Sequence, residues 1–273
     1  MASAGYSLHW FVIGAEFPIG RFLISELNES ATSYSSISLE SRDFSAIRNS
    51  NQTARPVAII SCLPQELPDI EHVRFWLDVL KQYDIPVIVL STTLNSISDE
   101  HRSLSHWYYN KELISELETL AQNHERHLVL RFNDVFSFYK NDFALKLLAQ
   151  MKDQGSLVLD DNYYTYPTPA DDCAEIIIAC MNQINCDEKL WGTYGYVAAE
   201  PISLYNFSEV LLAEASQYEA MNEVSLVAER TISNLEDVSV LNCEDIKFTF
   251  GIKPRPWRYG LSRLIKKYYN SDE

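Results

Sequence analysis

The chain has 273 residues, 47% hydrophobic and 22% charged, which suits a soluble globular protein with one large α/β domain or a large domain plus a smaller appendage. Its 22 Lys and Arg against 38 Asp and Glu give a net charge of −16, which excludes nucleic acid as an expected partner because its phosphates need basic side chains. No apolar run reaches the ~18 residues of a membrane span, and Met1–Tyr6 lacks the basic start and apolar stretch of a signal peptide, so no membrane association and a cytoplasmic location are expected.

In chain order, Ser7–Ala15 is a short apolar run ending at Gly14 and reads as a buried parallel strand. Ile19–Leu27 has helical spacing, with Phe22, Leu23 and Leu27 on one face. A weaker strand at Ser35–Glu40 follows, then a buried strand at Pro56–Cys62 and an amphipathic helix at His72–Tyr83. Pro86–Leu90 is a third strong strand, Trp107–Asn123 a long helix and Arg126–Phe132 a further strand. Strands alternating with helices of this length imply a parallel sheet covered on both faces. Beyond about residue 135 the rhythm loosens. Tyr163–Pro169 reads as a loop, and Asp171–Asn182 as a helix with Asp171 or Asp172 as its N-cap. Gly192–Ala198 reads as a strand, Leu204–Ala215 as a helix and Tyr259–Tyr269 as a last, basic helix. The expected division is 1–160 for the larger domain and 161–273 for a smaller lobe interleaved with it.

Five cysteines (Cys62, Cys173, Cys180, Cys186, Cys243) form no C-x-x-C pair and are odd in number, so reduced, mostly buried thiols are expected rather than a disulfide framework or a metal site. The turn after the first strand, Gly14-Ala15-Glu16-Phe17-Pro18-Ile19-Gly20, lies where a dinucleotide fold needs glycines to bring backbone N–H groups against a pyrophosphate. Phe17 should obstruct that approach, and Glu16 adds negative charge beside it; Gly14 and Gly20 are equally explained by packing alone. Ser91-Thr92-Thr93 ends a strand at the carboxyl edge of the sheet, where a Thr hydroxyl could bond a substrate carbonyl. Tyr163, Tyr164 and Tyr166 beside Pro167 could stack on a base or sugar, or form a protein-binding patch. The basic residues Arg255, Arg258, Arg263, Lys266 and Lys267 read as helix C-terminal charge and solvated face.

Taken in order, these segments resemble the dTDP-4-dehydrorhamnose reductase family of the extended short-chain dehydrogenase/reductases. That group includes the non-catalytic regulatory β subunit of methionine adenosyltransferase. The family's S-T-D-Y-V-F is similar to Ser91–Ser96, its I-I-R to Val129-Leu130-Arg131 and its N-F to Asp142-Phe143. The Pro-Thr of its D-Q-x-G-x-P-T loop survives in Pro167-Thr168, and its D-x-A helix start in Asp172-Cys173-Ala174. Gly192-Thr193-Tyr194 and Ser203–Ser208 resemble its next two motifs, and Phe250–Trp257 its F-G-I-x-x-P-x-W ending.

The resemblance implies a Rossmann-like, doubly wound α/β sheet with a smaller C-terminal substrate lobe. It also implies an NADP or NAD cofactor and a nucleotide-sugar substrate. By position, Gly14, Phe17, Gly20, Arg42 and Lys111 would face the cofactor, and Arg131, Tyr163, Tyr166 and Thr168 the substrate. The departures fall on functional positions. In the family's Tyr-x-x-x-Lys, the Lys holds the nicotinamide ribose and lowers the pKa of a proton-transferring Tyr; here Trp107 precedes Lys111 by four residues. If the protein is active, Thr92, Tyr108 and Lys111 are the expected catalytic group, with Tyr108 displaced by one residue. The central glycine of G-x-x-G-x-x-G is Phe17, the family's N-A-A-A loop shrinks to Ser61–Pro64, and its diphosphate-holding Arg is missing from Glu236–Asn242. The expectation is a catalytically inactive or impaired homologue that binds a nucleotide sugar, a protein partner or a second copy of itself, with an NAD(P)H-dependent reductase of a nucleotide-sugar 4-keto group as the rival.

Overall fold

The computed structural model describes residues 7–50, 54–92, 111–139, 142–162, 164–221, 224–230 and 243–270. The first half alternates strand and helix: β1 (Leu8–Ile13), α1 (Pro18–Glu29), β2 (Ser33–Ile37), α2 (Ser45–Arg48), β3 (Arg55–Ile60), α3 (Ile70–Gln82), β4 (Val87–Ser91), α4 (Lys111–Gln122) and β5 (His127–Phe132). The second half opens with β6 (Val135–Phe136), α5 (Phe143–Gln154), β7 (Ser156–Asp160), β8 (Tyr164–Thr165), β9 (Thr168–Pro169) and α6 (Ala170–Ile184). It closes with β10 (Gly192–Tyr196), β11 (Ile202–Ser203), α7 (Leu204–Ala215), β12 (Ser225–Glu229), α8 (Glu244–Phe250) and α9 (Trp257–Asn270).

Six strands form one fully parallel sheet in the order β2-β1-β3-β4-β5-β10. Both faces are covered, and the sequence shows it as strands apolar at consecutive positions. Trp10, Val12, Val57, Ile59, Ile88 and Leu90 enter one core, while Phe11, Ile13, Ala58, Ile60, Val87 and Val89 enter the other. Successive side chains on a strand point to opposite faces, so a run such as Val87–Leu90 supplies two cores at once. The chain reverses its winding direction between β1, which neighbours β2, and β3 on its other side. Such a switch point, here at the carboxyl ends of β1 and β3, is the place where open α/β sheets take ligands. Three small two-stranded sheets, β8 with β11, β7 with β12 and β6 with β9, build the remainder.

Several expectations need correction. The stretch expected as a loop at 163–169 contains β8 and β9, because Val135 and Phe136 pair with Thr168 and Pro169, and Ile202 and Ser203 with Thr165 and Tyr164. The N-cap of α6 is Pro169, not Asp171 or Asp172. Those two acids fill the first helical turn, where the exposed N–H groups favour negative charge. Arg255 and Arg263 are not merely a solvated face. Arg263 donates to Asp171 (2.5 Å) and Asp172 (2.9 Å), and Arg255 to Glu175 (2.5 Å), which fastens the terminal helix region to α6. Gly260 lets α9 lie on Pro169; a Cβ there would come within 2.2 Å of the proline Cγ. The cysteines are free thiols, with Cys62, Cys173 and Cys180 buried. No helix among the described residues is long and apolar enough to cross a membrane.

Candidate active site at the carboxyl edge of the sheet

The turn after β1 is folded in on itself. Gly14 has φ +84°, a left-handed conformation that favours glycine. The N–H groups of Gly14 and Ala15 both donate to Ile37 O, and that of Phe17 donates to Gly14 O (3.0 Å). Pro18, at the start of α1, has no N–H. Ser61, just past β3, donates its hydroxyl to Ile13 O (3.0 Å) and Gly14 O (2.8 Å). A Cβ on Gly20 would lie 2.6 Å from that hydroxyl oxygen and 2.7 Å from Gly14 O, so Gly20 is there to let α1 approach the turn. The Phe17 ring lies back over Gly14 and packs against the core beneath α3. Glu16 reaches the tip of β2, where its Oε1 accepts the Ser38 hydroxyl (3.0 Å) and the Leu39 N–H (2.9 Å). Arg42 stacks its guanidinium over Phe75, 4.4 Å from the ring centroid.

The end of β4 is built differently. Ser91 donates to Glu118 on α4 (2.6 Å), and Arg131 on β5 grips the same carboxylate with Nε (2.8 Å) and Nη2 (2.6 Å). This bidentate pair fixes α4 against β4 and β5. It also engages Arg131, the expected substrate ligand, in a structural contact. The hydrogen bonds that Arg131 donates to Glu118, and the carboxylate's charge, raise the Arg131 pKa against the effect of burial. The next residue, Thr92, is buried, and its hydroxyl has no partner among the described residues. Lys111 opens α4 and is exposed. Trp107 and Tyr108 lie outside the described residues, as do Tyr163 and the segment 236–242.

Among the other substrate candidates, Thr168 is buried with its hydroxyl on Tyr166 O (3.1 Å), while the Tyr166 side chain is half-buried. Beneath them sits a residue the sequence did not single out. Buried Asp134, at φ +41°, accepts from Asn133 (2.9 Å) and from the Thr165 hydroxyl, and its carbonyl accepts the Thr168 N–H (3.1 Å). Two further acids past the carboxyl ends of the strands titrate near neutrality. Burial pushes Glu66 up to about 7, opposed by the N–H of Leu63 and reinforced by the charge of Asp142. Burial likewise pushes Asp142 to about 7, opposed by its hydrogen bonds from Ala144 and Ser137. Nothing in Pro64-Gln65-Glu66 or Asp142-Phe143 marks these groups, since only the packing around them creates the shift. At the opposite, amino edge there is a cavity of about 320 Å³ lined in part by Arg55, Arg126 and Trp191. Its arginines pair with Glu188 and Asp84, and neither Thr92 nor Lys111 lines it.

Residues 106–270, more than half of the chain, match the RmlD substrate binding domain. The chain belongs to that family. It is similar to the dTDP-4-dehydrorhamnose reductase of Escherichia coli, at 21% identity over 170 residues covering 60% of this chain and 56% of the relative. The Salmonella typhimurium enzyme of the same name is 24% identical over 173 residues, with the same coverage. The chain thus spans little more than half the length of the curated relatives it matches. In fold it resembles the Bacillus anthracis dTDP-4-dehydrorhamnose reductase in complex with NADP, with a TM-score of 0.71 at 14% identity over 95% of this chain and 99% of the other. The Clostridium acetobutylicum counterpart gives a TM-score of 0.69 at 14% identity over 94% and 98%. Both are Rossmann-like short-chain dehydrogenase folds, as this one is.

Members of this family are nicotinamide-dependent oxidoreductases, so the turn can be tested against a dinucleotide. A diphosphate needs inward-facing N–H donors and bare backbone at this position. Here the Ala15 and Phe17 donors are already bonded, Pro18 lacks one and the Phe17 ring covers Gly14. As folded, these residues do not fit a diphosphate. The end of β4, by contrast, retains a buried hydroxyl with nothing to bond among the described residues.

Proposed function

We propose that this protein is an RmlD-type chain whose nicotinamide reaction is lost or strongly impaired, acting through its retained fold as a nucleotide-sugar-binding or regulatory protein with a protein partner or a second copy of itself. The observation that carries this reading is the internally bonded turn after β1, with Glu16 and Phe17 in place of open backbone. The sequence supports it from a second direction, because Trp107 carries no titratable proton four residues before Lys111. The test is to incubate the purified full chain with NADPH or NADH and a dTDP-4-keto sugar while following absorbance at the nicotinamide band. No turnover, together with calorimetric binding of the dTDP-sugar, is expected. Turnover abolished by Lys111→Ala would overturn the reading.

One observation favours the rival, an NAD(P)H-dependent reductase of a nucleotide-sugar 4-keto group. The unpartnered Thr92 hydroxyl at the carboxyl edge suits a group that orients a carbonyl oxygen. In that reading Tyr108 donates the proton and Lys111 holds the nicotinamide ribose, so Tyr108→Phe removes activity.

A further inference from the structure

At the amino edge of the sheet, the cavity of about 320 Å³ has the size of a small-molecule site. Its buried lining comes from the start of β3 and the last turn of α6, through Val57, Met181 and Ile184, and the Trp191 indole borders it. The two arginines are set by the backbone. The Arg55 N–H donates to Ser7 O (2.9 Å), and the Arg126 carbonyl accepts the Val87 N–H (3.0 Å). Each guanidinium meets an exposed acid: Arg55 Nη1 donates to Glu188 (3.2 Å), and Arg126 Nη2 lies 2.9 Å from the Asp84 carboxylate. The second contact is held by more than charge. Arg126 Nη2 also donates to the Asp84 carbonyl (2.6 Å), just past α3, where Asp84 has φ +51°. The backbone therefore positions this guanidinium, while the Asp84 carboxylate, 93% exposed, exchanges for another oxyanion at little cost. Trp191 adds a second observation. Its indole N–H is buried without a partner among the described residues, whereas buried donors are normally bonded.

We infer that this cavity binds a small organic acid, a single carboxylate carried on a flat apolar body. Arg126 is the first partner of the carboxylate, since a guanidinium fork matches its two oxygens, and Arg55 adds positive potential. The apolar body lies on the buried lining and against the flat rings of Trp191, Pro56 and Pro86. Charge selects a monoanion. Arg55 and Arg126 are balanced by Glu188 and Asp84 within a chain of net charge −16. One carboxylate replaces an exposed one in that balance, whereas a doubly charged phosphate meets an unfavourable field. The site stands apart from the carboxyl edge, and it holds whether or not the nicotinamide reaction survives.

The experiment titrates the full chain with 2-naphthoate, with its neutral amide and with 2-naphthyl phosphate. Binding is read by calorimetry and by the Trp191 indole N–H resonance in ¹⁵N spectra, assigned with Trp191→Phe. The unmodified chain is expected to bind 2-naphthoate with a Kd below about 1 mM and to shift the Trp191 resonance. The amide and the phosphate should each bind at least about tenfold more weakly. Arg126→Gln should lose at least about tenfold in affinity for 2-naphthoate and Arg55→Gln a smaller factor. Arg74→Gln, which alters an α3 arginine outside the lining, should lose nothing. Thermal melts confirm that the variants fold, and the ligand series on the unmodified chain decides the matter if one does not. No binding up to about 5 mM, a silent Trp191 resonance, an amide or phosphate that binds as well as 2-naphthoate, or an equal loss in Arg74→Gln would each overturn the inference. Turnover of a keto sugar by the unmodified chain bears on the functional reading alone.

Discussion

The β1–α1 turn and the end of β4 lie at the same carboxyl edge of the sheet, and their polar groups have opposite fates. In the turn, carbonyls, N–H groups and the Glu16 carboxylate bond one another, Ser38, Leu39 and Ser61, and the one bulky ring folds back over the glycine. At β4, Ser91, Glu118 and Arg131 lock the strand to its neighbours while the adjoining Thr92 hydroxyl is left without a described partner. Buried polar groups are normally bonded, so a self-satisfied loop and a leftover hydroxyl carry different information. The first can be lost as a ligand site without disturbing the fold. The second is a polar atom the fold alone does not explain.

The comparison is broken most severely at Glu118. Glu118→Ala strips the partner from Ser91 and Arg131 and should destabilise the protein by about 2–3 kcal/mol, read as a lower midpoint in urea denaturation. Gly20→Ala attacks the turn instead. Its Cβ meets Ser61 and the Gly14 carbonyl, and a loss of about 1–3 kcal/mol is expected from overpacking; an unchanged midpoint would mean that the turn can relax. A pH series tests the two buried acids. Glu66 and Asp142 titrate at about 7 in the fold against 4.5 and 3.8 ordinarily, so the folded state holds their protons more tightly. That stabilisation is complete below the ordinary values and is lost as pH rises through the folded ones, giving a decline in stability between about pH 4 and pH 7. Glu66→Gln, which keeps an acceptor for the Leu63 N–H, should flatten part of the slope in thermal melts across that range. The smallest effect belongs to Thr92→Val. Removing an unbonded buried hydroxyl should raise stability by about 0.5–1 kcal/mol, and a loss of similar size would reveal a partner that the hydroxyl already has.

Much of this was legible in the chain. Runs such as Pro56–Cys62 and Pro86–Leu90 are apolar at consecutive positions, which only a strand covered on both faces tolerates, and β3 and β4 form the middle of the sheet. Leu204–Ala215 begins and ends where its spacing says, with Ser203 accepting the Asn206 N–H at its start. Helix α5 was written there too, between the Asp142 cap and Gly155 at φ +64°, though the looser rhythm around it hid the pattern. β8 and β9 were not legible, because two-residue strands exist only through partners distant in sequence.

The sequence by itself determined the parallel α/β sheet, the substitution of Phe17 for glycine and the replacement of an acid by Trp107, since these depend on local pattern and residue identity. Tertiary structure alone decided that Glu16 closes the tip of β2, that Arg131 serves Glu118, and that Glu66 and Asp142 titrate near 7. Each of these outcomes depends on which side chain meets which donor across the fold and on how much water the packing leaves beside it, and neither is written in local sequence.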